Sequence, residues 1–421
     1  MRSHRRSRRR RRIRKNLMLL FVLSLLLISI ILIITNCKNI PDKSSDSSSS
    51  ISSGSSVITS QQSLVSSSVA AATPTLSAAD NNVVGRFFGP LIPVSDPKEV
   101  RHNELRALYI GSAGNLDKNI EIANNSEINA FVIDLKESNG VYFNSTNKLA
   151  NDIGAVKAGY NLANIVKKCK DNNIKVIGRI VCFKDHILSA QRPDLCIKDE
   201  AGTLLKYPLE SNKTFINAYS KEVWQYNIDI AKEAIALGVD EIQFDYVRFP
   251  TCNPTIRAAE HFGPDGTVPT KIEAITRFLQ TAKIEIQDGL GIPLSGDIYG
   301  IVLTSKFDGQ LIGQDWEILG HIGLDTLSPM IYPSHYAKGT RMYGIVFPKP
   351  SDDTFKFLDA VFMQEKFSET EGFSSVRCYI QAYDYTQAQI FGQIQALQKH
   401  GFTEYIYWNA KAVYDMSVVK K

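Results

Sequence analysis

Eight short apolar segments recur from about residue 101 onward, and stretches with helical periodicity separate them. Several of these segments follow the same punctuation, in which a helical stretch ends at a glycine, as at Gly238, Gly323 and Gly401. Glycine at such a point allows the left-handed helix C-cap that precedes a turn into a strand. The predicted strands are residues 106–110, 130–135, 175–180, 241–245, 293–297, 326–330, 377–381 and 404–408.

The stretches between the strands carry the period of amphipathic helices. After Thr270, a typical N-cap residue, Ile275, Phe278 and Ala282 form part of one apolar stripe. Eight strands that alternate with helices predict an α/β protein with a (β/α)8 TIM barrel. The alternative, a doubly wound open sheet, predicts a glycine-rich phosphate loop after the first strand, and residues 111–114 (GSAG) resemble one only weakly.

The first 81 residues differ in composition from the rest of the chain. Residues 17–35 contain no charged residue, and at a rise of about 1.5 Å per residue they match a hydrocarbon core of roughly 30 Å. Because the arginine-rich start is expected to stay inside, we predict a basic cytoplasmic tail at 1–16 and a transmembrane anchor at 17–36. A disordered Ser-rich linker at 37–81 then connects to the barrel at 82–421, on the extracellular side of the cell membrane.

Two other interpretations of the N-terminus remain open. A cleaved signal peptide would give a secreted protein, although its apolar region is usually only about 7–15 residues long. A lipidated N-terminal Cys37 would give a lipoprotein. All three interpretations export the barrel.

The charge of the chain is unevenly distributed. The formal net charge is +5, and residues 1–15 carry ten positive charges, which leaves −5 for the remainder. Nucleic-acid binding requires a clustered basic face on the folded domain. We therefore expect no nucleic-acid partner.

Alternation along the predicted strands sends polar side chains to one end of the barrel. If Ile242 and Phe244 face the helices, Gln243 and Asp245 face inward, and functional residues gather at the C-terminal ends of barrel strands. Three aspartates in one mouth repel one another unless a cation or a catalytic purpose is present. The inward residues predicted at the mouth are Tyr109, Asp134, Arg179, Asp245, Asp297, Met330, Gln381 and Trp408, with Tyr332 just beyond Met330.

A pair of carboxyl groups of this kind suits glycoside hydrolysis. One carboxyl must be protonated to donate to the leaving oxygen, and the other must be ionised to attack or stabilise the sugar carbon. Trp408 and Tyr332 offer flat apolar faces to a sugar ring. The expected substrate is a polysaccharide or oligosaccharide, cell-wall glycan first, with no cofactor and no metal ion.

Three segments carry a family resemblance: residues 178–185 (GRIVCFKD), 240–250 (DEIQFDYVRFP) and 328–336 (SPMIYPSHY). Over about residues 104–415 the chain resembles the putative glycosyl hydrolase domain family, long catalogued as a domain of unknown function. The resemblance implies a barrel related to those of retaining glycosidases.

By analogy with such barrels, Asp245 is the nucleophile or charge stabiliser and Asp297 is the general acid/base, where many related barrels carry a glutamate. The remaining residues expected to bind substrate or to tune the pair are Asp134, Arg179, Arg248, Tyr332, His335, Gln381 and Trp408.

Two other functions remain open at this point. A barrel without catalysis would bind saccharide only. Different barrel chemistry would use Lys136 or Lys184 as a Schiff-base amine, or a hard cation held by Asp134, Asp245 and Asp297.

Overall fold

The computed structural model describes residues 82–364, 372–414, 416, 417 and 419. The predicted tail, anchor and linker of residues 1–81 lie outside this range. Within the described ranges, no helix has the length and apolar character that crossing a bilayer requires.

Eight parallel strands form a closed barrel. The first strand hydrogen-bonds to both the second and the last, which closes the sheet and confirms the (β/α)8 prediction over the open sheet. The strands are β1 (Arg106–Gly111), β2 (Ala130–Glu137), β3 (Lys175–Val181), β4 (Glu241–Asp245), β5 (Leu294–Tyr299), β6 (Thr326–Met330), β7 (Ser375–Gln381) and β8 (Glu404–Trp408). Four shorter strands lie outside the barrel: Gly140–Phe143, Val156–Tyr160, Thr340–Met342 and Ile345–Phe347.

Helices connect the strands and cover the barrel. The predicted helix after Thr270 is confirmed, and it begins with a capping box in which Thr270 and Glu273 each bond the other's backbone N–H. This helix continues into a π-helical segment at Lys283–Asp288. The α-helices are α1 (Val83–Phe88), α2 (Leu116–Asn124), α3 (Lys148–Asp152), α4 (Leu162–Asp171), α5 (His186–Gln191), α6 (Lys221–Ala236), α7 (Pro254–Ala259), α8 (Lys271–Ala282), α9 (Lys306–Ile312), α10 (Trp316–Gly320), α11 (Thr354–Gln364) and α12 (Gln387–Lys399).

The apolar core has two layers, as strand alternation predicts. Phe131 and Ile242 belong to the layer between the strands and the helices. Val132 and Ile177 belong to a smaller cluster inside the barrel. The inward and outward assignments made from the sequence are therefore correct for these strands.

One irregularity breaks the alternation at the end of β2. The pairing of β2 with β3 shifts between Asp134 and Lys136, which is the signature of a β-bulge. Lys136 leaves the barrel interior: its Nζ lies 2.9 Å from Asp185 Oδ2 and 5.2 Å from the centre of the Tyr226 ring on α6. A simple alternation from Asp134 places Lys136 inward, so the bulge reverses that expectation.

Candidate active site

Four charged side chains meet at the C-terminal ends of adjacent strands: Asp134 on β2, Arg179 on β3, Asp245 on β4 and Asp297 on β5. All four are buried, with Asp245 5% and Asp297 1% exposed. Phe244 pairs with Gly296 across β4 and β5, so the next residues, Asp245 and Asp297, lie side by side on strands about 4.8 Å apart.

Arg179 is the centre of an ion network. Its Nε and Nη2 donate to Asp245 Oδ2 at 3.0 and 2.6 Å, and its Nη1 donates to Asp134 Oδ1 at 2.6 Å. The same Nη1 also donates to Glu137, and the Tyr109 hydroxyl donates to Asp134 Oδ2 at 2.5 Å. The cation between Asp134 and Asp245 is thus a guanidinium, which satisfies both carboxylates with charge-assisted hydrogen bonds.

Asp297 has no such support. Neither of its carboxyl oxygens has a hydrogen-bond partner among the described residues. The nearby Tyr379 hydroxyl donates to Gln243 Oε1 at 2.6 Å. Burial, followed by the negative charge of Asp245, raises the pKa of Asp297 well above its ordinary value and outweighs Arg179 and the Tyr379 hydroxyl, which lower it. Asp297 therefore keeps its proton to a higher pH than an exposed aspartate does.

Aromatic rings lie against this centre. Tyr332 and Trp408 are stacked, with ring centroids 6.5 Å apart and planes at 19°. Trp408 also packs on Tyr109 at 4.1 Å, and the Arg179 guanidinium lies 5.9 Å from the Trp408 ring centre. The charged network and the predicted sugar-stacking rings therefore share one mouth.

Gln381 and His335 lie farther out on the same side. Ser334 N donates to Gln381 Oε1 at 3.3 Å, and Gln381 Nε2 donates to Tyr383 O at 3.3 Å. His335 is exposed, and its Nε2 is 3.1 Å from the Tyr383 hydroxyl. The Gln381 side chain thus supports the loop that follows β6.

Arg248 belongs to a separate group, the rim cluster of Lys184, Glu210, Tyr246 and Arg248. Arg248 and Lys184 both bond Glu210 at 3.0 Å, and the Tyr246 ring lies 4.9 and 4.7 Å from their charged groups. No contact joins Arg248 to Asp245 or Asp297 within the described residues.

The rim cluster also bears on Schiff-base chemistry. Burial lowers the pKa of Lys184, but Tyr246 and Glu210 outweigh it and raise that pKa above its ordinary value. A Schiff-base amine needs the opposite shift.

Sequence reasoning missed Glu137 and Glu210. The β2 bulge brings Glu137 within hydrogen-bonding distance of Arg179, and no sequence pattern predicts the bulge. Glu210 lies in the irregular segment before α6, where no strand period assigns it a direction.

An open groove of about 690 Å3 lies beside the charged centre, and we call it the mouth groove. Asp134 lines it, whereas neither Asp245 nor Asp297 does. Its lining includes Tyr109, Asp134, Tyr142, Lys157, Tyr160 and Lys411.

Comparison with one solved structure supports the fold, and two others are similar over part of the chain. The glycoside hydrolase domain of PgaB (BpsB) from Bordetella bronchiseptica is 12% identical, with a TM-score of 0.51 over 74% of this chain and 95% of that one, and it shows the same fold. A hypothetical protein from Ruminiclostridium thermocellum ATCC 27405 is 39% identical over 45% of this chain and 96% of that one, with a TM-score of 0.41. An α-galactosidase from Thermus thermophilus is 13% identical over 74% of this chain and 59% of that one, with a TM-score of 0.44.

The curated proteins searched contain no sequence that matches this chain. A family profile described as "putative glycosyl hydrolase domain" matches residues 105–414, which is well over half of the sequence. The chain therefore belongs to the putative glycosyl hydrolase domain family.

Proposed function

We propose that the barrel is a glycoside hydrolase in which Asp297 donates a proton and Asp245 acts as the ionised partner. One observation carries this proposal: a buried carboxyl without hydrogen bonds lies beside a carboxylate that is bonded to arginine. A carboxyl whose pKa is raised, placed beside a carboxylate that is bonded to arginine, is what acid-assisted glycoside cleavage needs.

In the proposed reaction Asp297 protonates the glycosidic oxygen while Asp245 attacks or stabilises the anomeric carbon. Water then completes hydrolysis, and Asp297 recovers a proton. Retaining pairs have carboxyl groups about 5–5.5 Å apart and inverting pairs about 6.5–9.5 Å apart, so the separation of the Asp245 and Asp297 carboxyl groups determines the stereochemical outcome. Arg179 holds Asp245 in position, and the rings of Tyr332 and Trp408 supply a face for the sugar.

The proposed location is the cell membrane, with a single-pass anchor and the barrel outside, where cell-wall or other polysaccharide is the substrate. The uncharged segment 17–35 behind an arginine-rich start supports this location. Protease treatment of intact cells expressing the full chain tests it: digestion of the barrel is expected, and a fully protected barrel contradicts the proposal. Barrel released into the medium would indicate cleavage of the anchor instead.

Reducing-end release from a broad glycan panel tests the enzymatic function. The native chain is expected to cleave at least one member, and Asp245→Asn and Asp297→Asn are each expected to lower the rate about 10²- to 10⁴-fold. Asp265→Asn, at an exposed position in another loop, is the matched control and should retain full activity. No release by the native chain, or equal release by all four proteins, overturns the proposal.

A saccharide-binding barrel without catalysis is the second candidate. It is favoured by the near-complete burial of Asp245 and Asp297 and by the mouth groove, which reaches Asp134 but not the pair. Glycan-array binding that survives the double change Asp245→Asn/Asp297→Asn, together with no hydrolysis by the native chain, would establish this candidate.

A further inference from the structure

The mouth groove has an unusual charge balance for a cavity beside a carboxylate centre. Its only charged lining residues are Asp134, Lys157 and Lys411. Asp134 is already bonded to Arg179 and Tyr109. Neither lysine has an ion-pair partner within 4.0 Å in the part of the chain that the structure describes. The groove therefore carries two lysine side chains without ion-pair partners among the described residues, beside one carboxylate whose guanidinium partner is shared with Asp245 and Glu137.

The side chain of Lys157 packs against a glycine of the neighbouring strand. It lies on the short strand Val156–Tyr160, which pairs with Gly140–Phe143. A Cβ on Gly140 would lie 3.2 and 3.1 Å from Lys157 Cγ and Cε, so the bare glycine lets the lysine stem lie flat along the strand. Packing of this kind reduces the conformational freedom that the side chain loses when a ligand binds.

Lys411, which also lines the groove, lies on a loop that hydrogen bonds hold in place. Lys411 N donates to Asn409 Oδ1 at 3.0 Å, and Asn409 Nδ2 donates to Val413 O at 2.9 Å. The Tyr414 hydroxyl donates to Tyr109 O and Tyr407 O at 2.8 and 2.9 Å, which anchors the loop to β1 and β8. The backbone that carries Lys411 is thus prearranged.

The remaining lining fits a sugar. Tyr109, Tyr142 and Tyr160 contribute rings with hydroxyl groups, and the volume of about 690 Å3 lies within the range of about 300–1,000 Å3 that is typical of ligand pockets. We propose that the mouth groove binds an acidic sugar unit of the substrate, with Lys157 and Lys411 contacting its carboxylate. This inference rests on the proposed glycoside hydrolase function and specifies its substrate class.

Charge separation gives the reason for this placement. An acidic sugar held directly on Asp245 would be repelled, whereas the groove reaches Asp134, the other carboxylate bonded to Arg179, and offers two ammonium groups. An anionic group is the partner that both lysines lack. The sugar being cleaved and the acidic sugar would then occupy neighbouring but distinct positions.

Calorimetric titration of the full-length Asp297→Asn chain tests the inference without hydrolysis. The probes are tetramers of galacturonate, mannuronate and glucuronate, each beside its carboxyl-reduced neutral counterpart. At least one acidic tetramer is expected to bind about tenfold more tightly than its neutral form, with affinity falling as salt rises.

Lysine variants in the same background locate the binding. Lys157→Gln and Lys411→Gln are each expected to weaken acidic binding about 2- to 5-fold and neutral binding less than 2-fold. The double variant Lys157→Gln/Lys411→Gln is expected to combine both losses. Lys206→Gln/Lys356→Gln, which removes the same charge from exposed positions outside the groove, is the matched control for the double variant.

The outcomes of these titrations test the groove assignment separately from the hydrolase proposal. Failure of every acidic tetramer to bind, equal binding of acidic and neutral forms, or a double variant that behaves like its control overturns the groove assignment. Lysine-dependent binding without cleavage of any glycan by the native chain retains the groove and removes the hydrolase proposal. If the native chain cleaves only neutral glycans, the hydrolase proposal is retained and the groove assignment is overturned.

Discussion

Two buried arginines lie at opposite ends of the barrel, and each bridges carboxylates from different strands. Arg179 lies at the C-terminal mouth. Arg377 lies at the N-terminal end, which we call the floor, and donates to Glu241 Oε1 at 2.7 Å and to Glu404 Oε1 at 3.0 Å. Both side chains are almost completely buried, so each end of the barrel has to compensate a buried positive charge.

The two ends differ in what surrounds the arginine. At the floor, Glu404 also accepts from Leu105 N at 2.7 Å and lies 2.8 Å from His102 Nε2, and Glu241 accepts from Ser295 at 2.6 Å. At the mouth, Asp297 accepts from none of the described residues. At the floor each carboxylate is bonded to arginine and to a further donor, which favours stability, whereas an unsupported carboxyl at the mouth favours chemistry, as is usual for the two faces of this fold.

The largest expected effect comes from removing the unsupported carboxyl. Asp297→Asn should abolish nearly all activity and also raise the melting temperature at pH 7. The folded state raises the pKa of Asp297, so it binds the proton more tightly than the unfolded chain, and stability falls as pH rises above about 3.9. Asparagine cannot ionise, so it removes the loss of stability that an ionised carboxyl causes at this buried position.

Thermal denaturation of both proteins at pH 4 and pH 7 checks this expectation. The gain in melting temperature should shrink toward pH 4, where the carboxyl is protonated in the folded state and about half protonated in the unfolded chain. A destabilised variant at pH 7 would mean that Asp297 has a stabilising partner.

The second effect distinguishes the arginines. Arg377→Met leaves two buried carboxylates without their cation, and it should lower the free energy of unfolding by about 3–5 kcal/mol. Folded Arg377→Met should keep its kcat/KM, whereas Arg179→Met should lose both stability and kcat/KM. Urea denaturation and initial rates measure the two quantities. Arg192→Met, at a solvent-exposed ion pair, is the control and should cost less than about 1 kcal/mol.

The third effect is the pH dependence of activity. Because Asp297 must be protonated to act, kcat/KM should fall about tenfold per pH unit above its raised pKa. The fall should therefore begin well above the ordinary aspartate range near pH 3.9. A profile of kcat/KM against pH that falls just above pH 4 would assign the proton donor to another group.

The smallest effect belongs to the floor. Hydrogen bonds with Asp325 and Glu404 raise the pKa of His102 to about 10. Its stabilising contribution should be complete below about pH 6.5 and disappear as pH rises through about 10, and it should stay below about 1 kcal/mol because the ring is partly exposed. Unfolding free energies at pH 6 and pH 10 should therefore differ less in His102→Gln than in the native chain. An identical pH dependence in both proteins would rule out this contribution.

Much of the mouth could be predicted from strand alternation. Period-two patterns are short-range, so the sequence alone places Asp134, Arg179, Asp245 and Asp297 at one end. Arg179 bonds Asp245 and not Asp297. This choice depends on side-chain geometry across three strands, which no local sequence pattern encodes. The β2 bulge adds one residue and so reverses every later inward or outward assignment on that strand. As a result Glu137, and not Lys136, lies near Arg179.

The anchoring of Tyr414 has a consequence for biosynthesis. Its hydroxyl joins β1 to β8, which are the first and last barrel strands to leave the ribosome. The earliest strand of the nascent chain therefore lacks one neighbour until β8 has been synthesised. Chains that terminate before β8 would keep an unsealed seam, and such chains would be natural targets for quality-control proteases.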